Sequence, residues 1–132
     1  MVHEWALAEA IIKTLEQHIP NSCGRKISYV EIVVGSLQAI DIDILKFAVN
    51  ELARNRQMKI AKINYVSEDA KFKCRRCGNT WSLSEMSLSD EDKELIHFIP
   101  EAVYAIVSCG KCGSRDFDII SGRGVYISRI EV

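Results

Sequence analysis

The chain has 132 residues, 48% of them hydrophobic and 27% charged, the balance of an ordinary folded protein of one or two small domains. Its formal net charge of −1 creates no global field toward nucleic acid or an anionic membrane, so neither partner is expected. No apolar run is long enough to span a bilayer, and the start Met-Val-His-Glu-Trp has neither the basic nor the apolar region of a secretory signal.

Residues 4–18 place Leu7, Ala8, Ile11, Ile12, Leu15 and Ile19 at helical spacing, with Glu9, Lys13 and Glu16 off that face. Pro20 and Gly24 are expected to end this helix, leaving Cys23 in a turn-like stretch as a bystander thiol. Trp5 is expected to anchor the helix start in the core. Residues 27–34 are rich in β-branched side chains and read as a strand closed by Gly35. A second helix follows, opened by Asp41 or Asp43, with Ile42, Leu45, Ala48, Val49 and Leu52 on one stripe. Residues 60–66 and 125–132 return as strands, the last entered through a Gly122-Arg123-Gly124 turn. The run Ser89 to Glu94 reads as a solvated helix start.

Two amphipathic helices need a sheet to bury their stripes, and an isolated strand pair is marginal, so the C-terminal strand becomes the third member. The pattern therefore predicts an α+β fold: two helices packed on a small three-stranded mixed sheet, with an inserted four-cysteine, zinc-ribbon-like module. The expected domains are 1–69 with 118–132, and 70–117. The inserted module looks too small for a core of its own, so a metal is expected to staple it.

Cys74, Cys77, Cys109 and Cys112 form two Cys-x-x-Cys-Gly knuckles separated by 31 residues. Each pair puts two thiolates on one tight turn, and two facing turns offer the tetrahedral sulfur set of a closed structural zinc site. Gly78 and Gly113 can take positive φ, which lets backbone N–H groups turn toward the sulfurs. Iron fits the same donors, as in the paired knuckles of rubredoxins. Two redox-active pairs fit less well, because neither lies in a βαβ context. Paired reduced thiols without an export signal point to the cytoplasm. Lys71, Lys73, Arg75, Arg76, Lys111 and Arg115 make the knuckles basic, which suits compensation of a tetrathiolate charge or a protein-docking surface.

At the other end of the chain, an amine, backbone amide nitrogens and the imidazole of His3 can form fused chelate rings, with Glu4 adding an oxygen. Such donors suit square-planar Ni(II) or Cu(II).

Taken together, the His3-Glu4-Trp5-Ala6-Leu7-Ala8 start, the amphipathic helix, the two knuckles, Ile96-His97-Phe98-Ile99-Pro100-Glu101 ahead of the second knuckle and Gly122-Arg123-Gly124 resemble the HypA family over essentially the whole chain. These are nickel metallochaperones of NiFe-hydrogenase maturation. The resemblance implies transported Ni(II) at His3 and Glu4 with the N-terminal amine, and structural Zn(II) at the four cysteines. It adds His97 as a nickel ligand reaching from the zinc module; without the resemblance His97 reads as a loop residue beside Phe98. Val2 departs from the family pattern, in which His directly follows the initiator. Removal of Met1 makes Val2 the terminal amine and restores that order, whereas retention lets Met1, Val2 and His3 supply four nitrogens without Glu4. Both forms remain open.

Implied partners are the nucleotide hydrolase HypB and the hydrogenase large-subunit precursor; some relatives serve urease. The chain itself is expected to be a monomer or a weak, domain-swapped dimer. No nucleophile–base–orienter set is visible, so an enzyme is not expected. A zinc-ribbon nucleic-acid binder is the rival favoured by the basic knuckles and opposed by the acidic balance elsewhere.

Overall fold

The computed structural model describes residues 2–19 and 26–132, Val2 through its backbone only. Met1, Pro20, Cys23 and Gly24 lie outside the described residues. The chain divides into two compact units. One comprises Met1–Val33, Ile40–Val66 and Val125–Val132; the other comprises Val34–Ala39 and Ser67–Gly124.

In the first unit, helix α1 (Val2–His18) buries Ala8, Ile11, Ile12 and Leu15, the stripe that its periodicity marks out. Helix α2 (Ile42–Asn55) packs against it through a face containing Leu45, Ala48, Val49 and Ala53. Asp41, not Asp43, is the N-cap: its Oδ1 accepts a hydrogen bond from Ile44 N at 3.1 Å. Just past α2, Arg56 ties the two helices together, reaching Glu9 at 2.5 Å and Glu16 at 3.2 Å on α1.

The strand expected at 27–34 is broken by a bend at Ser28 into β1 (Lys26–Ile27) and β2 (Tyr29–Gly35). Likewise the 60–66 strand divides into β3 (Lys59–Ile60) and β4 (Ile63–Glu68). The short pieces β1 and β3 pair in parallel, Lys26 with Lys59 and Ile27 with Ile60. The longer ones join β8 (Val125–Glu131) in a three-stranded sheet of order β4-β2-β8. Val30 N donates to Lys62 O at 3.0 Å and Ser36 N to Glu68 O at 2.9 Å, so partners advance together and β2 runs parallel to β4. Ser28 N donates to Glu131 O and Gly35 N to Gly124 O, both at 2.8 Å, so β8 is antiparallel. The sheet is mixed: β2 and β4 are joined through a crossover that carries α2, and β8 returns from a long excursion to pair with β2.

The second unit is built on β5 (Lys71–Cys74), with β6 (Thr80–Ser82) and β7 (Phe117–Ser121) antiparallel on either side. Along β5 the side chains alternate, Lys71 and Lys73 outward and Phe72 and Cys74 inward, the period of a half-buried strand. Helices α3 (Asp90–Phe98) and α4 (Val103–Ile106) contribute Ile96 and Val103 to the interior. Ser89 caps α3, accepting from Asp92 N at 3.1 Å, as the solvated helix start predicts. At the entry to β8, a Cβ on Gly35 would lie 2.2 Å from the Gly122 carbonyl oxygen, so these two backbones touch.

Two sequence expectations are corrected here. This unit has a core of its own: Phe72 meets Trp81, Phe117 and their neighbours with ring centroids 5.4–5.6 Å apart, and Tyr104 stacks on Phe117 at 4.9 Å. Leu37, Ala70, Ile96, Val103 and Val107 complete the cluster. Aromatic residues scattered through 70–117 carry more apolar area per residue than a count of chain length suggests. Trp5 is the second correction. It is 39% exposed and lies edge-on to Phe47, which is 60% exposed. The helical phase that buries Ala8 and Ile12 carries Glu4, one turn before Ala8, into the interior and leaves Trp5 at its margin.

Because Phe72 is fully buried against two aromatic rings, Trp81 and Phe117, Phe72→Ala is expected to destabilise the second unit by about 3–5 kcal/mol even with metal bound. Denaturant unfolding followed by Trp81 fluorescence in a Trp5→Phe background measures it. An unchanged midpoint would show that metal alone holds the unit.

Candidate metal centre

Strand β5 ends at Cys74, and its partner in register on β7 is Phe117, so the sheet delivers the first knuckle to the chain segment that follows the second. Each knuckle closes in the same way. Gly78 N donates to Cys74 O at 3.0 Å, and Gly113 N to Cys109 O at 2.9 Å. Gly78 and Gly113 take φ of 78° and 74°, a conformation that costs other residues strain.

The four sulfurs lie within 4.8 Å of one another, with Cys74 3.5 Å from Cys112 and Cys77 3.6 Å from Cys109. A tetrahedron of zinc–sulfur bonds has sulfur–sulfur edges of about 3.8 Å, so these donors fit a four-coordinate thiolate site. Cys74 and Cys109 are buried, whereas Cys77 and Cys112 face solvent.

Backbone N–H groups point at the sulfurs as the knuckle geometry predicts. The N–H of Cys112, helped by Lys111 N–H and the Asn79 side chain, outweighs burial and pulls the Cys109 thiol down to about 6. Cys74 is lowered by the N–H groups of Cys77 and Arg76. Cys77 differs: Asn79 N–H lowers it, but desolvation and the three surrounding thiols win and push it up to about 11. Four adjacent thiols cannot all ionise without a cation among them, and this divergence expresses that repulsion.

Arg75, which sequence reasoning read only as charge, and Asn79, which it did not single out, join the knuckles. Asn79 Nδ2 lies 3.6 Å from Cys109 Sγ. Arg75 N donates to Asp116 O at 2.9 Å, while its guanidinium bonds Asp118 through Nε at 2.9 Å and Asp116 through Nη1 at 3.3 Å. Arg75 holds the Asp118 carboxyl below its ordinary range, and the pairing neutralises part of the knuckles' positive charge. The spacing of Asp116 and Asp118, alternate residues leading into a strand, was the available signal.

His3 and Glu4 lie in the first turn of α1, where N–H groups fall outside the helix's own hydrogen-bond ladder. His3 is half-buried, and Glu4 is only 2% exposed. Burial alone would raise the Glu4 carboxyl, but hydrogen bonds, among them those from its own N–H and that of Asp41, hold it below its ordinary value. Asp41 N lies 3.3 Å from Glu4 Oε1, so the start of α2 faces the start of α1. Sequence reading gave Asp41 only a capping role. Met1 lies outside the described residues, and Val2 contributes backbone alone. His97 belongs to the last turn of α3, not to a loop; its Nδ1 bonds the Gln38 carbonyl and its ring packs edge-on to Phe98.

A small α+β fold that converges four thiols and buries a charged carboxylate beside a histidine is the architecture of a metal-handling protein. The chain belongs to the HypA family: the family model described as hydrogenase/urease nickel incorporation, metallochaperone, matches residues 2–132. The hydrogenase maturation factor HypA of Pyrococcus horikoshii is 46% identical over 133 residues, covering 99% of this chain and 96% of its own. That of Thermococcus onnurineus is 44% identical over the same spans. The solution structure of the Ni metallochaperone HypA from Helicobacter pylori shares the fold, with a TM-score of 0.60 at 18% identity, covering 97% of this chain and 95% of its own.

With Cys109 lowered to about 6, its thiolate is favoured above that pH and lost as pH falls through it. Zinc binding at pH 7 is therefore expected to release fewer than four protons, and more at pH 5. Calorimetry in buffers of different ionisation enthalpy counts them. Release of four protons at pH 7 would show that the metal-free thiols are not tuned in this way.

Proposed function

We propose that this protein binds Ni(II) at the head of α1 and delivers it during maturation of a NiFe hydrogenase, with Zn(II) as the structural ion of the four-cysteine site. Membership of the HypA family across residues 2–132 is the observation that carries the reading. The chemistry of the two donor sets supports it. Four thiolates saturate a tetrahedral ion and leave no open position, which suits a resident metal. Nitrogen donors from an amine, ionised backbone amides and the His3 imidazole favour square-planar Ni(II), with the Glu4 carboxylate close by in sequence. These donors exchange with protons and water, which suits cargo.

The terminal amine belongs to Met1 or, after its removal, to Val2, and either is a ligand in this proposal. HypB and the hydrogenase large-subunit precursor are the proposed partners, in the cytoplasm. Among the described residues no helix is long and apolar enough to cross a membrane. The chain acts as a monomer or a weak, domain-swapped dimer in this reading, and its work is transfer of an ion, not catalysis.

His3→Ala is expected to abolish specific nickel binding while leaving zinc in place. A few residues fused ahead of Met1 should do the same by moving the amine, whereas the same tag after Val132 should be harmless. Nickel titration by calorimetry reads both, and affinity should fall with pH because amine, amide and imidazole must each lose a proton. One nickel bound equally tightly by the N-terminally extended protein would end the chelate proposal.

His97 is assigned as a further nickel ligand and is tested alone. His97→Ala should alter the nickel absorption spectrum or weaken nickel binding, with zinc content unchanged. Superimposable titrations would return His97 to a structural role beside Gln38 and Phe98.

A further inference from the structure

We propose that Arg75 and Asn79 are positioning residues of the four-cysteine site, holding its two knuckles in register so that the sulfurs are assembled before the metal arrives. The inference rests on the four-thiolate reading above and adds how that site is held.

The two knuckles are far apart in sequence, so something must keep the second opposite the first. The β5–β7 ladder does so up to Cys74 and Phe117. Beyond it the chain continues the link through Arg75 N and Asp116 O at 2.9 Å. There the Arg75 side chain adds a fork: Nε to Asp118 at 2.9 Å, Nη1 to Asp116 at 3.3 Å, and Nη2 again to Asp118. A planar guanidinium bonding two carboxylates fixes direction as well as distance, which a lysine cannot do. Arg75 stands between Cys74 and Cys77, and both acids follow Cys112, so each bond spans the two halves of the site.

Asn79 makes a second crossing, and it reaches the sulfur itself. It follows the first knuckle, its backbone carbonyl accepts from Cys74 N at 2.8 Å, and its amide Nδ2 lies 3.6 Å from Cys109 Sγ in the second. An N–H directed at a thiolate stabilises its charge and lowers the energy of its lone pairs. Removing that N–H therefore changes both affinity and the energy of sulfur-to-metal charge transfer. Substitutions of groups that orient metal ligands typically cost about 10–100-fold in affinity.

Cobalt(II) replaces zinc as the probe, since thiolate–cobalt absorption reports sulfur number and energy. In wild type, a tetrahedral four-sulfur spectrum is required first; its absence would overturn the four-thiolate reading and this inference with it. Asn79→Ala is then expected to bind cobalt about tenfold more weakly and to move the charge-transfer band to longer wavelength. Arg75→Ala should leave the band in place but release cobalt to a chelator about tenfold faster. Arg75→Lys should behave like Arg75→Ala, because charge without the fork does not fasten two acids. Lys93→Ala, which removes an exposed positive charge outside both knuckles, is the control and should match wild type. Melting at saturating cobalt, monitored by near-ultraviolet circular dichroism, should show all variants folded. Wild-type release rates in Arg75→Ala together with an unshifted band in Asn79→Ala would overturn the proposal. Full rescue by Arg75→Lys would also overturn the strap, showing that charge alone was at work.

Discussion

Four cysteine sulfurs can share one ion only if two turns separated by 31 residues are brought face to face. The second unit meets this constraint from its interior outward. Phe72 and Phe117 pack against each other across β5 and β7, and that contact sets the register that places Cys74 opposite the start of the second knuckle's exit strand. Buried sulfurs at Cys74 and Cys109 continue the apolar interior, while Cys77 and Cys112 close the site from the solvent side. Core packing and ligand geometry are thus one arrangement, in which the aromatic cluster stands behind the two knuckles.

The first unit solves a different problem. A carboxylate at Glu4 is taken out of water, which raises the cost of its charge, yet its charge is preserved by N–H donors at the start of α1 and from Asp41 at the start of α2. Helix N-termini are natural places for such an anion, since their first N–H groups lack intrahelical acceptors and the helix dipole is positive there. The Arg56 link to Glu9 and Glu16 fastens the other end of the same helix pair. The start of α1 thus combines a fixed carboxylate with backbone nitrogens outside the helical ladder, the donors that the proposed nickel site calls on.

The contrast between the two donor sets matches the division of labour in the proposed function. Soft, saturated thiolate coordination keeps an ion; amine, amide and imidazole donors bind one that must later leave. Family membership establishes nickel incorporation as the context, and the donor chemistry provides the physical reason to propose separate donor sets for cargo and resident metal.

Much of this was legible in the residues themselves. Cysteine spacing announces a thiolate site because ligand type and turn geometry are local. The stripe of α1, an aspartate cap at either Asp41 or Asp43 and the β-branched strand segments are likewise read from near neighbours, and the α+β fold follows from burying them. Tertiary structure decided the rest. Glu4 is buried and Trp5 lies at the surface because the phase of α1 against α2 chooses between adjacent residues. Phe72, Trp81 and Phe117 become a core only when β5, β6 and β7 meet, and the exposed Tyr104 finds Phe117 only through α4. Arg75 and Asn79 acquire their partners from residues about thirty to forty positions away. Periodicity and ligand chemistry are written along the chain, whereas a contact between distant side chains exists only after loop closure has brought them together.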